Sequence, residues 1–321
     1  MKLSDIYTKA IEEGIENDPR GKDIVLKELE YRKKNFDELK PEKKEFFDIE
    51  SLRNPYTDSR ILHGTGDEEI KSVLVGIDID VGEILLADNL KAKGTSIDLL
   101  MSHHPSGKAL STLYDVLQMQ SDILNRFGVP INIAEELMDG RIKEIERRLL
   151  PVNHMRAVDA ARLLNIPFLC LHTVADNMVS SFLQEIFDEK KPYRLSDILD
   201  ILNDIPEYKS AGFNNVGPKI LLGSDNRKAG KIFVDMTGGT EGAKDIFSIL
   251  TTNGVNTIVG MHMSEDHRKE AEKNHLNVIV AGHISSDTLG LNLLLDKINK
   301  DNTLEIIECS GFRRFSRINE F

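Results

Sequence analysis

Cysteine is scarce in this chain. Of 321 residues only Cys170 and Cys309 are cysteine, far apart and in no Cys-x-x-Cys pair. That excludes a disulfide scaffold and a cysteine-based zinc knuckle, and it fits a reducing compartment. Basic residues are also in deficit, 41 Lys and Arg against 53 Asp and Glu, for a formal net charge of −12. Tight, non-specific binding to DNA or RNA depends on cationic side chains that neutralise phosphates, so strong nucleic-acid binding is not expected. The pair Arg313-Arg314 reads as solvated surface. A long apolar run is missing as well. The N-terminus, Met1-Lys2-Leu3-Ser4-Asp5, enters a charged, helix-like stretch instead of an apolar signal core. The expectation is a cytoplasmic protein with no membrane partner.

What is present is enough for a substantial core: 40% hydrophobic residues with 29% charged, at a length that allows one two-lobed α/β unit. Residues 1–65 read as a charged helical extension, packed on the outside of the main domain or serving as an oligomer arm, and unlike a carrier of chemistry. Nearly half of them are charged, and Ile6, Ala10, Ile11 and Ile15 recur at helical spacing. Residues 66–321 form the main domain. There strands are expected at Val73 to Asp80, Ile97 to Ser102, Lys231 to Asp235, Asn256 to Gly260, Asn277 to Gly282 and Leu304 to Cys309. Helices are expected at Val81 to Lys93, Glu241 to Leu250, Ser264 to Lys273 and Asp287 to Lys300. Alternation of this kind implies an α/β fold of two related β/α halves, about 66–192 and 219–321, with largely parallel sheets. A helical insert, about Ala109 to Leu149 and then Val152 to Leu164, reads as a lid, spacer or interface.

Three apolar, strand-like runs end in histidine: Leu99 to His103-His104-Pro105, Phe168 to His172, and Val278 to His283. Asp176 stands four residues after His172, and Asp287 four after His283. In open α/β sheets, ligands sit beyond the carboxyl ends of parallel strands, so the fold would gather these side chains at one edge. Neutral imidazole binds zinc, iron, manganese or nickel, and carboxylates add charge and can bridge two ions. His103 and His104 would diverge in a continuing strand. Pro105 stops the strand, and in a loop both rings can address one cavity, which two neighbouring ions would use. The four-residue spacing brings each His and Asp together if a helix starts directly after the histidine. Helix capping is the competing reading of Asp176 and Asp287.

The dispersed pattern resembles the NIF3-like family, whose members are also called GTP cyclohydrolase 1 type 2 homologues. The resemblance covers about Ser72 to the C-terminus and rests on His103-His104-Pro105, on His172-Thr173 with Asp176, and on Gly282-His283 with an acidic residue at 287. It implies a dinuclear centre of two divalent metal ions held by His103, His104, Asp176, His283 and Asp287, with His172 as an outer or alternate ligand. The family usually has glutamate where this chain has Asp287, one methylene shorter. The charged N-terminal segment and the helical insert also depart from the family's short form. Family members tend to form ring-like hexamers built from dimers, which implies a homo-oligomer here.

Two ions would lower the pKa of a water and polarise an electrophile. That chemistry suits a metal-dependent hydrolase of a C–N bond or phosphate ester, and the family name points to a nucleotide such as GTP. His172 or Glu265 would move the proton. The turn Met236-Thr237-Gly238-Gly239-Thr240 lies between a strand and a helix, and Gly238 and Gly239 are the candidates for cradling a ligand, although a plain tight turn reads equally well. Ser264 reads as a helix N-cap followed by Asp266 and His267. Asp78 and Asp80 close the first strand, where one of them would approach the site. His154 and His275 read as surface or packing residues. Two rival readings are a metal-handling or regulatory protein without turnover, and an oligomeric scaffold with a structural metal, whose site would normally be closed and four-coordinate.

Overall fold

The computed structural model describes residues 1–301 and 303–318. Nine strands form among them: β1 Arg60–His63, β2 Ser72–Gly76, β3 Leu99–Ser102, β4 Phe168–Cys170, β5 Lys219–Leu222, β6 Lys231–Asp235, β7 Val255–Gly260, β8 Asn277–Val280 and β9 Glu305–Cys309. They make two sheets, in the orders β1-β4-β3-β2-β9 and β5-β8-β7-β6. In each sheet the first strand of that order is antiparallel to its neighbour and the other pairings are parallel. Apart from β9, which returns to pair with β2, the two orders are identical. The chain is an α/β protein of two related halves.

Strand alternation sorts the side chains into separate cores. Val73, Val75, Leu99, Met101 and Leu169 of the first sheet, and Ile232, Val234, Val259 and Ile279 of the second, share one central cluster. Their neighbours along the strands point the other way. Leu74, Leu100 and Phe168 pack under helices Val81–Ala92 and Arg156–Leu163. Phe233, Ile258 and Val278 pack under helices Met119–Arg126, Ile131–Leu149, Phe247–Thr252 and Glu265–Lys273. The central cluster also holds helices Leu3–Glu16, Thr173–Lys190 and His283–Ile298. The layers therefore run helix, sheet, helix, sheet, helix.

Two features of the central layer position the site. First, helices Thr173–Lys190 and His283–Ile298 cross at Ala175 and Gly290, where a Cβ on Gly290 would collide with the Ala175 carbonyl oxygen. This close approach brings Asp176 and Asp287 to the same place. Second, helix Leu3–Glu16 is amphipathic and buries Leu3, Ile6, Tyr7, Ala10 and Ile11 in the central core. The opening segment is thus part of the interior, whereas the more highly charged helix Lys22–Asp37 buries only Val25.

Several helix limits differ from the sequence-based expectation. The stretch from 109 to 149 is four helices, Gly107–Ser111, Leu113–Val116, Met119–Arg126 and Ile131–Leu149. A helix from Glu241 does not form: the chain stays irregular until the short 3-10 turn Lys244–Ile246 and helix Phe247–Thr252. Positive φ at Gly238 (97°) and Gly239 (88°) turns the backbone away from helix, and the Gln120 side-chain amide donates to the Gly238 and Thr240 carbonyls, each at 2.8 Å. The last long helix starts at His283, not Asp287, because Gly282 at φ 112° turns the chain directly after β8.

Candidate metal centre

The histidines stand where the parallel strands of both sheets end. His103 and His104 extend β3, their amides donating to the Gly76 and Ile77 carbonyls at 3.0 and 2.9 Å. His172 follows β4, and its carbonyl accepts the Asp176 amide at 3.1 Å as the helix begins. His283 opens the helix after β8. Asp176 and Asp287 are then one turn into their helices, on the side of the preceding histidine. Neither caps a helix end: Asp287 lies inside its helix and is fully buried.

These groups converge. His103 Nε2 is 3.4 Å from Asp176 Oδ1 and 3.5 Å from Asp287 Oδ1. His104 Nε2 is 3.4 Å, and His283 Nε2 3.6 Å, from Asp287 Oδ2. His172 Nε2 is 3.9 Å from Asp176 Oδ2. Such separations are too long for well-formed hydrogen bonds. Asp176 Oδ1 and both Asp287 oxygens are buried with no hydrogen-bond partner, a costly state for ionised oxygens without a cation.

The other ring nitrogens of His103, His104 and His172 are tied down. Nδ1 of His104 donates to Asp78 at 2.7 Å, Nδ1 of His172 to Asp58 at 2.7 Å, and Nδ1 of His103 to the Leu171 carbonyl at 3.2 Å. With a proton on Nδ1, each Nε2 lone pair is directed at the carboxylates, the arrangement in which a carboxylate or carbonyl orients a metal-binding imidazole. Two overlapping sets, His103 with His172 and Asp176, and His103 with His104 and Asp287, could each hold a metal ion, and their N and O donors suit a first-row divalent cation.

Electrostatics agree with a cation site. Burial opposes ionisation of Asp287, but His103, His104 and His283 outweigh it and hold its carboxyl far below the usual range. Burial also opposes charge on His103, yet Asp287 and Asp176 raise its pKa well above the ordinary value. His104 is likewise raised against burial by Asp287 and Asp78, despite the neighbouring His103. His283 is lowered by burial together with His262, His104 and His103, against the pull of Asp287. The carboxylates thus draw positive charge into the cluster.

The cluster borders a cavity of about 340 Å³. Leu110, Leu113, Ile123 and Leu124 of the helical insert form part of its wall, so the insert shapes the site. Asp235, Glu241, His262 and His267 from the second half line it too. The His262 ring lies 4.8 Å from that of His283, and Glu241 is 3.6 Å from both His262 and His267.

Other candidates fall elsewhere. Glu265 is exposed, pairs with Arg268 at 2.8 Å and does not line the cavity. Its helix is capped by Ser264, as expected, but the first turn presents Glu265 outward. Gly239 lines the cavity; Gly238 lies behind it against Gln120, and no helix starts at their turn to supply a positive end. Asp78 reaches His104, while Asp80 caps helix Val81–Ala92. Asp58 and Asp235 were not visible as site residues in the sequence. Asp58 sits in the charged opening segment, and Asp235 is the last residue of an ordinary strand; only tertiary packing brings Asp58 behind His172 and Asp235 to the cavity.

Fold and site together define a class: a two-sheet α/β protein with histidines and aspartates gathered at the strand ends of both halves. Among solved structures the chain is similar to a NIF3 superfamily protein from Sphaerobacter thermophilus, at 28% identity and a TM-score of 0.68, covering 79% of this chain and 91% of that one. It shares its fold with reduced HcgD from Methanocaldococcus jannaschii, at 16% identity and a TM-score of 0.51, covering 83% and 94%. No protein-family model matches the chain, and no curated protein matches it. The chain thus has a NIF3-like fold. Among the described residues no helix is long and apolar enough to cross a membrane.

Proposed function

We propose that the protein is a metal-dependent hydrolase with a dinuclear centre, in which His103, His104, Asp176, His283 and Asp287 hold two divalent cations. The observation that carries this reading is the set of buried carboxylate oxygens without hydrogen-bond partners, faced by Nε2 atoms of oriented imidazoles. Such cations would supply Lewis acidity for attack by water on a C–N or phosphate ester bond. Asp58 and Asp78 hold His172 and His104 in one tautomer, so that their Nε2 atoms accept a cation or a proton. His172 serves as alternate ligand or proton carrier, replacing Glu265 in that role. Asp287 is shorter than glutamate, but its two oxygens already approach three imidazoles, which suits a bridging position. The family resemblance implies a homo-oligomer of hexameric form and, as one substrate class, a nucleotide.

Metal content by mass spectrometry tests the centre: substoichiometric metal after reconstitution with zinc, iron, manganese or nickel overturns it. Turnover of nucleotides and model phosphate esters, with His103→Ala as control, tests the hydrolase. Equal rates in both proteins remove that claim.

A second reading, a metal-handling protein without turnover, is favoured by the exposure of His283, 42% accessible and therefore reachable by an exchanging ligand. Stoichiometric metal that passes rapidly to a chelator, with no turnover of any tested substrate, would select it.

A further inference from the structure

The side chains around the cavity restrict what it can admit. Besides Asp176 and Asp287, it is lined by the carboxylates of Asp235 and Glu241, and no lysine or arginine lines it among the described residues. Two divalent cations would do no more than offset these four carboxylates, leaving only the histidines of the lining as positive charge for a polyanion such as a nucleoside triphosphate. Much of the remaining lining is apolar, including Leu110, Leu113, Phe233, Phe247, Met261 and Met263.

The two additional carboxylates differ in what they already do. Glu241 accepts the Ser264 amide at 2.6 Å and stands beside His262 and His267, which clamps the turn after β6 to helix Glu265–Lys273. The side chain of Asp235, at the end of β6, makes no hydrogen bond or ion pair among the described residues. Asp235 is exposed and lines the cavity. Desolvation by the neighbouring protein and the nearby Glu241 raise its pKa to about 6 against the opposing pull of His267 and His262, yet leave it mainly ionised above neutrality. An unpaired acceptor that faces the cavity beside an apolar wall is matched by a donor carried on an apolar body.

We propose that the cavity takes a small molecule with an apolar or ring-shaped body and an N–H donor or cationic nitrogen that pairs with Asp235, in preference to a polyanionic nucleotide. This rests on the hydrolase reading for its chemistry: such a ligand would present a C–N bond, not a phosphate ester, to the metal centre. Asp235 is the specificity-determining residue.

The test uses benzamidine as an amidinium on an apolar ring, benzyl alcohol as its uncharged counterpart, and inorganic triphosphate as the polyanion. Binding is measured by calorimetry at pH 8 to the metal-loaded protein and its Asp235→Asn variant, with metal content determined on the same samples. Benzamidine should bind the wild type more tightly than triphosphate and weaken at least roughly tenfold in the variant. Benzyl alcohol should bind both proteins alike. The proposal is overturned if benzamidine does not bind, if the variant binds it equally well, if both ring ligands are lost together, or if triphosphate binds more tightly. Asp235-dependent benzamidine binding in samples that lack metal would instead sink the metal-centre reading while leaving this one standing.

Discussion

The Asp58 carboxylate accepts a 2.7 Å hydrogen bond from Nδ1 of His172, which lies 114 residues further along the chain. Asp58 also accepts the Thr173 hydroxyl at 2.7 Å and is itself fully buried. The opening segment therefore sets the orientation of an imidazole at the edge of the cluster. Removing this partner frees the ring to rotate and to change tautomer. Asp58→Asn should lower metal affinity by about 10- to 100-fold while the far-ultraviolet circular dichroism stays unchanged. A competition titration against a chromogenic chelator reads this. Affinity within twofold of wild type would separate Asp58 from the site.

The crossing at Gly290 is the second dependence of the site on packing. The Ala175 carbonyl occupies the space that a side chain would need, next in sequence to Asp176. Gly290→Ala must push the two helices apart, at a cost of about 1–3 kcal/mol. The same displacement separates Asp176 from Asp287. The variant should show a lower midpoint in urea and weaker metal binding together; loss of stability with full metal affinity would show that the site tolerates a looser crossing.

Metal affinity should depend on pH with a definite sign. Burial opposes protonation of His103, but Asp287 and Asp176 raise its pKa well above the ordinary histidine value, so the metal-free cluster holds this proton more firmly than a free imidazole would. A cation must displace that proton, and binding therefore strengthens as pH rises toward the raised pKa. Where one proton is displaced, affinity changes about tenfold per pH unit. Titrations at pH 6, 7 and 8 in weakly buffered dye should show proton release and tighter binding at each step. A constant affinity with no proton release contradicts this account.

The strand ends were legible because apolar runs punctuated by His-His-Pro, His and Gly-His carry their own signal, and the His-to-Asp spacing of four reports a helix that follows at once. The fold class was legible for the same reason, since strand and helix periods alternate in both halves. What could not be read depended on packing across the chain. Nothing near Asp58 distinguishes it from the other charges of its segment, and His172 supplies its meaning from the end of the neighbouring strand, distant only in sequence. Glu265 failed through helix phase: Ser264 is the cap that its sequence suggests, but the turn after it points Glu265 at Arg268 and solvent. The helix expected at Glu241 yielded to the Gly238-Gly239 turn and to Gln120, whose two hydrogen bonds arise in an insert with no polar motif.

Asp235 gives the last prediction, one of stability. Its pKa is raised from 3.8 to about 6, first by burial and then by Glu241, against the opposing pull of His267 and His262. Between these values the folded state binds more protons than the unfolded state, so stability falls as pH rises through this window. The contribution is fully present below the unfolded pKa and lost above the folded one. Asp235→Asn removes the ionisation. It should therefore be more stable than wild type above pH 6 and lose that advantage as pH falls toward 4. Because the carboxyl is accessible from the cavity, solvent screening holds the gain to on the order of 1 kcal/mol. Urea unfolding of the metal-free proteins at pH 4, 5, 6 and 7.5 measures the difference directly. A variant that is less stable than wild type at pH 7.5 would mean that Asp235 has a stabilising partner in the folded protein, and would remove the unpaired acceptor on which ligand recognition at this wall depends.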